Sequence, residues 1–360
     1  MMSCIPTKSI GADKNFDVLI MSKLLQKYQF KLDAKENLSV DETTEVFNSL
    51  RTGTNQEIIA SFLNAWAEKG YTSDELAICA KILRNNCVKV KTKHEKFIDI
   101  VGTGGSKAKV FNVSTAVAFV VAGAGIPVAK HGNRAASSKT GSADALELLG
   151  VNIVAETEFA QKCLDEIGIC FMFAPKFHNL TKELAMARKS LGKPTIFNLL
   201  GPLANPANAP FQLIGIWNKD YMKPMAEAIA KLGTKKTWIV HGEDGLDEIT
   251  LNGKTFVAEI AGDKVDYFEI TPEDFDLSRH ELSEFNDLSS KKSAEIIRNM
   301  FINEGFNQFA LDIVLINSAT AIYMCGYAQN YAEAFLIAKE SVLKGNALLK
   351  LNDLKNKTNG

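Results

Sequence analysis

Asp99-Ile-Val-Gly-Thr-Gly-Gly-Ser-Lys-Ala-Lys-Val-Phe-Asn-Val-Ser-Thr115 decides the fold class. A short apolar strand runs into Gly102, Gly104 and Gly105, and a helical pattern follows. A strand that feeds a helix through such a turn is a unit of an α/β sheet. Glycines let the backbone turn sharply and aim successive N–H groups at a ligand, and a helix N-terminus adds positive partial charge. Together they favour an anion, most naturally phosphate. The spacing meets neither G-x-G-x-x-G nor G-x-x-x-x-G-K-[ST], which disfavours a dinucleotide or a P-loop nucleotide. Taken alone, the run also fits a tight strand–helix turn that binds nothing.

Outward from this stretch, apolar strands alternate with helical patterns. Phe97–Val101, Ile126–Ala129, Ile169–Ala174, Gln212–Trp217 and Lys236–His241 read as strands, and Ser142–Leu149, Glu158–Ile167 and Met222–Leu232 as helices. This rhythm predicts βαβ units and a mainly parallel central sheet. Around Thr250–Ile270 the pattern turns hairpin-like, with Asn252-Gly253 as the turn signal. From Lys292 to about Lys350 the chain reads as helices, and a polar tail after Leu354 is expected to fray. The first third is helical: Ser39–Glu42, Thr54–Glu57 and Thr72–Glu75 have capping-box spacing, and Gly70 supplies a stop. The fold class is therefore α/β, a small N-terminal helical domain plus a larger α/β domain, joined through the lysine-rich segment Lys89–Lys96.

With 360 residues the chain has length for about two domains. Hydrophobic residues at 46% and charged residues at 23% exclude a disordered or fibrous protein. A net charge of −1 carries no global basic surplus of the nucleic-acid-binding kind. The six cysteines (Cys4, Cys79, Cys87, Cys163, Cys170, Cys325) lie too far apart for a zinc site and read as buried reduced thiols. No apolar run resembles a signal peptide, and Val113–Ala129 is too short and too glycine-broken to span a membrane. A soluble cytoplasmic protein is the expectation.

Three further stretches carry chemistry. Lys130-His-Gly-Asn-Arg-Ala-Ala-Ser-Ser-Lys-Thr-Gly-Ser-Ala-Asp144 follows a strand, where parallel sheets face their ligand crevice. Its cations, hydroxyls and free amides suit a phosphate ester, or else a polar surface loop. His241-Gly-Glu-Asp-Gly-Leu-Asp-Glu-Ile-Thr250 crowds four carboxylates into six residues. Asp247 and Glu248 are the pair suited to Mg²⁺ bridged to substrate phosphates, the alternative being a solvated acidic loop. His178 and Arg188 stand beside aromatics and the Gly/Pro/Asn-rich run Pro194–Pro206, where an arginine could clamp the carboxylate of a flat substrate or merely lie on a helix surface.

Taken together, these stretches resemble the anthranilate phosphoribosyltransferases. The carrying motifs are Gly102-Thr-Gly-Gly105, Asn112-Val-Ser-Thr115, Lys130-His-Gly-Asn-Arg134, Ser137-Ser138 and Gly141-Ser-Ala-Asp144. Phe173-Ala-Pro175, Thr195-Ile-Phe-Asn-Leu-Leu-Gly-Pro-Leu203, Asn205-Pro206, His241-Gly242 and Gly245-Leu-Asp-Glu248 continue them over nearly the whole chain. The resemblance implies a fold of the nucleoside phosphorylase/phosphoribosyltransferase type with an active site at the domain hinge. It implies transfer of the phosphoribosyl group of 5-phosphoribosyl 1-pyrophosphate to the amine of anthranilate, releasing pyrophosphate, in tryptophan biosynthesis. It also implies Mg²⁺, two ions per monomer, and a homodimer docked through the helical domain, with no membrane or nucleic-acid partner. The corresponding domain spans are 1–14 as an extension, 15–88 as the helical domain joined by helices from about 176–206, 96–175 with 207–350 as the catalytic domain, and 351–360 as a tail.

By resemblance, the sugar pyrophosphate would be held by Gly102, Gly105, Ser106, Val110, Asn112, Val113, Ser114, Thr115, Lys130, His131, Gly132, Asn133, Arg134, Ala135, Ala136, Ser137, Ser138 and Ser142. Gly102, Asn133, His178 and Arg188 would line the anthranilate site, and Ser114, Asp247 and Glu248 would ligate Mg²⁺. No protein nucleophile is expected. The chain departs from the family pattern at Ser106, where Asp is usual, at Val110, in Asn179–Ala187 and at Pro194. Ser106 with Lys107 and Lys109 is expected to alter metal demand and tighten pyrophosphate binding. Alternatives are a paralogue with another aromatic acceptor and a non-enzymatic nucleic-acid-binding paralogue; the signature of the pyrimidine nucleoside phosphorylases is missing. The near-zero charge is a cancellation. Lys81–Lys109 holds eight basic and two acidic residues, whereas Glu243–Asp287 holds fourteen acidic and three basic.

Overall fold

The computed structural model describes residues 10–105, 110–134, 140–281, 285 and 288–360, of which 10–17 by their backbone alone. Four helices open the chain: α1 (Ile10–Asp33), α2 (Val40–Thr52), α3 (Gln56–Lys69) and α4 (Ser73–Asn85). Ser39 and Thr72 form capping boxes at α2 and α4, each hydroxyl accepting the amide of the glutamate three residues on while that carboxylate accepts the cap amide. The third expected box does not form. Asn55 caps α3 instead, accepting from the amides of Glu57 and Ile58, because Thr54 is drawn inward to hydrogen bonds with Ser22 at 2.7 Å and the Val18 carbonyl at 3.0 Å. Gly70 ends α3 at φ +89°, a left-handed conformation that costs glycine little.

The sheet begins with β1 (Ile98–Gly102), followed by α5 (Val113–Gly123), β2 (Val128–Gly132), α6 (Ser142–Leu148), α7 (Glu158–Ile167) and β3 (Ile169–Phe173). After the single turn α8 (Ala174–Phe177), the chain leaves the sheet for α9 (Lys182–Leu191) and α10 (Ile196–Leu203). It returns as β4 (Phe211–Gly215), α11 (Met222–Leu232), β5 (Lys236–Gly242), β6 (Thr255–Ala261) and β7 (Lys264–Ile270). The strand order is β3-β2-β1-β4-β5-β6-β7, parallel from β3 to β5 and antiparallel for the last two pairs. The expected hairpin is present, but its turn lies at Gly262-Asp263, since Ala261 pairs with Lys264. Asn252-Gly253 sits in the connection from β5 to β6, because β6 starts at Thr255.

Helices α12 (Ser290–Ile302), α13 (Gln308–Met324), α14 (Tyr331–Leu343) and α15 (Asn346–Asn359) complete the chain. The tail after Leu354 does not fray. It is the last turns of α15, with Leu351 and Leu354 buried and Asn359 donating to the Gly150 carbonyl. Strand side chains alternate between two apolar cores. Phe211, Leu213, Trp238 and Val240 join α5–α7 and α12–α15 on one face of the sheet. Ile214, Ile216 and Ile239 join α1–α4 and α9–α11 on the other. Among the described cysteines, Cys79, Cys163, Cys170 and Cys325 are buried free thiols and Cys87 is half-buried. Among the described residues no helix is long and apolar enough to cross a membrane.

Candidate active site

Both cores stop short of the C-terminal ends of β1 and β2, where parallel strands leave their crevice. A cleft of about 360 Å³ opens there, lined by the glycine turn, the N-terminus of α5, the end of β2, the start of α6 and the Asp247-Glu248 loop. Of the residues expected at a site, Gly102, Gly105, Val110, Asn112, Val113, Ser114, Lys130, His131, Gly132, Asn133, Arg134, Ser142, His178, Arg188, Asp247 and Glu248 all line it. Thr115 does not. One residue beyond Ser114 on a helix turns a side chain about 100° away, and its hydroxyl is fully buried without a hydrogen-bond partner. Ser106, Lys107, Lys109, Ala135, Ala136, Ser137 and Ser138 lie outside the described residues.

The acidic loop rests on a floor of glycine. Gly102 and Gly215 are paired neighbours on β1 and β4. A Cβ on Gly102 would stand 3.0 Å from a carboxylate oxygen of Asp247, and one on Gly215 would overlap the Asp247 carbonyl. The second glycine escapes sequence reading, because nothing near it resembles a loop motif. With Ser114 across the cleft, Asp247 and Glu248 offer hard oxygen donors, while among the described residues no group of three His, Cys, Asp or Glu could hold a metal alone. Such a sparse set suits a cation that takes its remaining ligands from water and from phosphate oxygens of a substrate.

At the end of β2, Lys130 is buried, donating to the Ile100 carbonyl at 2.5 Å and to Ser114 Oγ at 3.4 Å. Burial pulls its ammonium down to about 8, opposed by the negative charges of Asp99 and Glu248. Asp99, fully buried, accepts from the His131 amide at 3.1 Å and from Asn205 Nδ2 at 2.7 Å. Burial pushes it up to about 6, against those hydrogen bonds and the Lys130 charge. Asn205 also donates to the Ala129 carbonyl, so the segment returning from α10 clamps β1 to β2. Neither Asp99 nor Asn205 reveals this in sequence, since the two lie far apart in the chain.

His131 donates to the Gly201 carbonyl through Nδ1 at 3.0 Å, leaving Nε2 buried without a partner. His178 packs edge-on against it, ring centroids 5.1 Å apart, with neither ring nitrogen hydrogen-bonded. Desolvation holds His131 down to about 3 and His178 to about 4, so both rings are neutral at physiological pH. Arg134 turns from the cleft centre to pair with Asp144 at 3.0 Å and Glu147 at 2.9 Å. Arg188 lies over the Phe197 ring at 5.0 Å and makes no ion pair among the described residues. Burial lowers its guanidinium to about 10, still cationic at neutral pH. An unpaired, partly desolvated guanidinium beside an aromatic ring is suited to a planar carboxylate.

The sequence model of the glycosyl transferase family a/b domain matches residues 94–348. The anthranilate phosphoribosyltransferase of Endomicrobium trichonymphae is 40% identical over 331 residues, covering 92% of this chain and 98% of its own. Among solved structures, the anthranilate phosphoribosyltransferase of Thermus thermophilus superposes with a TM-score of 0.83 at 35% identity, over 92% of this chain and 99% of that one. The Saccharomyces cerevisiae enzyme in complex with PRPP and Mg gives a TM-score of 0.83 at 29% identity, over 94% and 98%.

Proposed function

The chain belongs to the anthranilate phosphoribosyltransferase family, and on that premise we infer that it transfers the phosphoribosyl group of phosphoribosyl pyrophosphate to the amine of anthranilate in tryptophan biosynthesis. One observation carries the reading. A single cleft combines anion-binding amides, a buried lysine and a carboxylate pair with an arginine that lies beside an aromatic ring and has no ion pair among the described residues. That is a polyanionic donor site next to an aromatic-acid acceptor site.

The pyrophosphate and sugar phosphate are met by the glycine turn, the α5 amide at Ser114, Asn112, Lys130 and the α6 start at Ser142. Arg188, His178 and Asn133 face the acceptor. Ser114, Asp247 and Glu248 would hold Mg²⁺, two ions per monomer, which would supply positive charge to offset that of the leaving pyrophosphate. The family's yeast member was solved with PRPP and Mg, which supports this assignment.

The chain itself supplies positioning and electrostatics. As the bond from ribose C1 to pyrophosphate breaks, positive character grows on the sugar and negative charge on the leaving oxygen. Lys130 and the Ser114 amide are held in place for that negative charge by the surrounding fold, so little reorganisation is needed. Arg188 fixes the acceptor through its carboxylate and so orients the amine toward C1. Neutral His131, on the donor side, and neutral His178, on the acceptor side, add no charge repulsion to the cationic sugar. No protein nucleophile is required. Dimerisation through α1–α4 and a cytoplasmic location complete the proposal.

The test mixes protein, Mg²⁺, phosphoribosyl pyrophosphate and anthranilate and follows loss of anthranilate fluorescence. Enzyme-dependent loss with release of pyrophosphate is the expected result. No loss at high protein concentration would sink the acceptor assignment, and a monomer in sedimentation analysis would sink the dimer.

A further inference from the structure

Helix α5 presents its N-terminus to the cleft with Asn112 as its N-cap. An N-cap asparagine normally accepts the amide of the second or third helical residue through its side chain. Asn55, Asn307 and Asn330 do this at α3, α13 and α14. Asn112 does not. Its backbone sits at φ −75° and ψ 70°, and the Val113 amide bonds back to the Phe111 carbonyl at 2.8 Å. This is an inverse γ-turn, far from the extended ψ of 173° and 160° at the capping residues Ser39 and Thr72.

The side chain of Asn112 is engaged elsewhere. Ser293, fully buried on α12 and 181 residues away, donates its hydroxyl to Asn112 Oδ1 at 2.7 Å and accepts the Asn112 amide at 2.8 Å. Beside this pair, Phe285 packs edge-on against Phe111 at 5.8 Å. Farther along α12, Arg298 donates to the Leu148 carbonyl at 3.1 Å, tying the same helix to the end of α6. Of the two amides a capping Asn112 could take, that of Thr115 bonds to the Asn112 carbonyl at 3.1 Å, and among the described residues that of Ser114 has no acceptor.

We propose that Ser293 is a positioning residue that holds Asn112 off its own helix, keeping the Ser114 amide at the start of α5 open for a phosphate oxygen of the substrate. This rests on the phosphoribosyl-transfer reading and adds to it the device that keeps the anion cradle vacant. Without the Ser293 hydroxyl, Asn112 is free to swing into the capping geometry and compete with the ligand for the Ser114 amide. The effect passes through Asn112 alone.

The experiment is Ser293→Ala in the full chain, Asn112→Ala, and the double variant. Ser293→Ala is expected to raise the KM for phosphoribosyl pyrophosphate about tenfold, with kcat and the KM for anthranilate within about threefold. The Kd for inorganic pyrophosphate with Mg²⁺, read by calorimetry, is expected to rise by the same factor. In the Asn112→Ala background only the bond from the residue-112 amide to Ser293 remains, and the second substitution is expected to change either constant by no more than about threefold. A merely structural role predicts equal losses in both backgrounds and a fall in kcat, and that result overturns the proposal. So does unchanged pyrophosphate affinity in Ser293→Ala, or failure of the wild type to bind pyrophosphate at all. If the wild type binds pyrophosphate but does not consume anthranilate, the acceptor assignment fails, and a tenfold loss in Ser293→Ala still supports Ser293.

Discussion

Gly215→Ala separates a glycine needed for space from one needed for flexibility. Gly215 lies at the end of β4, fully buried and paired with Gly102 on one side and Val240 on the other. An added Cβ would stand 2.6 Å from the carbonyl carbon of Asp247, overlap its oxygen, and come within 3.3 Å of its Cβ. Ordinary carbon contacts are about 3.5–4.0 Å, so the Asp247 backbone must retreat by at least about 1 Å. Overpacking of this kind costs roughly 1–3 kcal/mol of stability, which a core of this size can absorb. Its effect on activity is expected to be larger, because a displacement of about 1 Å in a positioning group can cost on the order of 100-fold, or about 2.7 kcal/mol of transition-state stabilisation. The assay is initial rate by anthranilate fluorescence across a Mg²⁺ titration, with thermal unfolding in parallel. A folded variant is expected that needs more Mg²⁺ and has kcat/KM lowered about 100-fold. Gly102→Ala, whose Cβ would meet a movable carboxylate oxygen at 3.0 Å, should lose less than about a tenth of that. A Gly215→Ala enzyme with an unchanged Mg²⁺ curve and kcat/KM within about threefold of wild type would refute the idea that Asp247 is seated by this glycine.

Arg188→Lys keeps a charge but loses the planar fork, so the KM for anthranilate should rise about 10-fold or more while that for phosphoribosyl pyrophosphate holds; equal rises in both would argue against acceptor clamping. His131 and His178 are held down to about 3 and 4 in the fold, against 6.5 unfolded. Their stabilisation is therefore complete well above pH 6.5 and lost as pH falls toward 4, each contributing a loss of about 1.6 kcal/mol between pH 6.5 and 5. Urea unfolding at the two pH values should show this drop, and His178→Asn should remove roughly half of it; an equal drop in the variant would refute the assignment. Deleting 355–360 removes the Thr358 and Asn359 hydrogen bonds and the Lys357–Glu166 ion pair. A Tm lower by a few degrees with unchanged kcat is expected, since those partly exposed bonds contribute about 1 kcal/mol each or less.

Local chemistry explains what could be read from sequence. The capping boxes at Ser39 and Thr72, the glycine turn after β1 and the alternation of strands with helices depend on neighbours a few residues away. Propensity and spacing express such neighbours directly, so the fold class and most of the cleft were legible. The same local logic failed at Thr54, where a buried partner on α1 outcompeted the cap. It failed again at the tail, where burial of Leu351 and Leu354 turned a polar segment into helix.

By itself, then, the sequence determined a mainly parallel α/β sheet with a helical N-terminal region, and residue types suited to phosphates, a cation and an aromatic acid. Tertiary structure decided which of those residues reach the cleft and what holds them there. It turned Thr115 away, paired Arg134 with α6 carboxylates, seated Asp247 on Gly215, clamped β1 to β2 through Asp99 and Asn205, and set Ser293 against Asn112. Residues 181 apart have no shared pattern in a chain read linearly. Their distance is set only when two cores close on the faces of one sheet, because packing and burial, not propensity, choose among long-range partners.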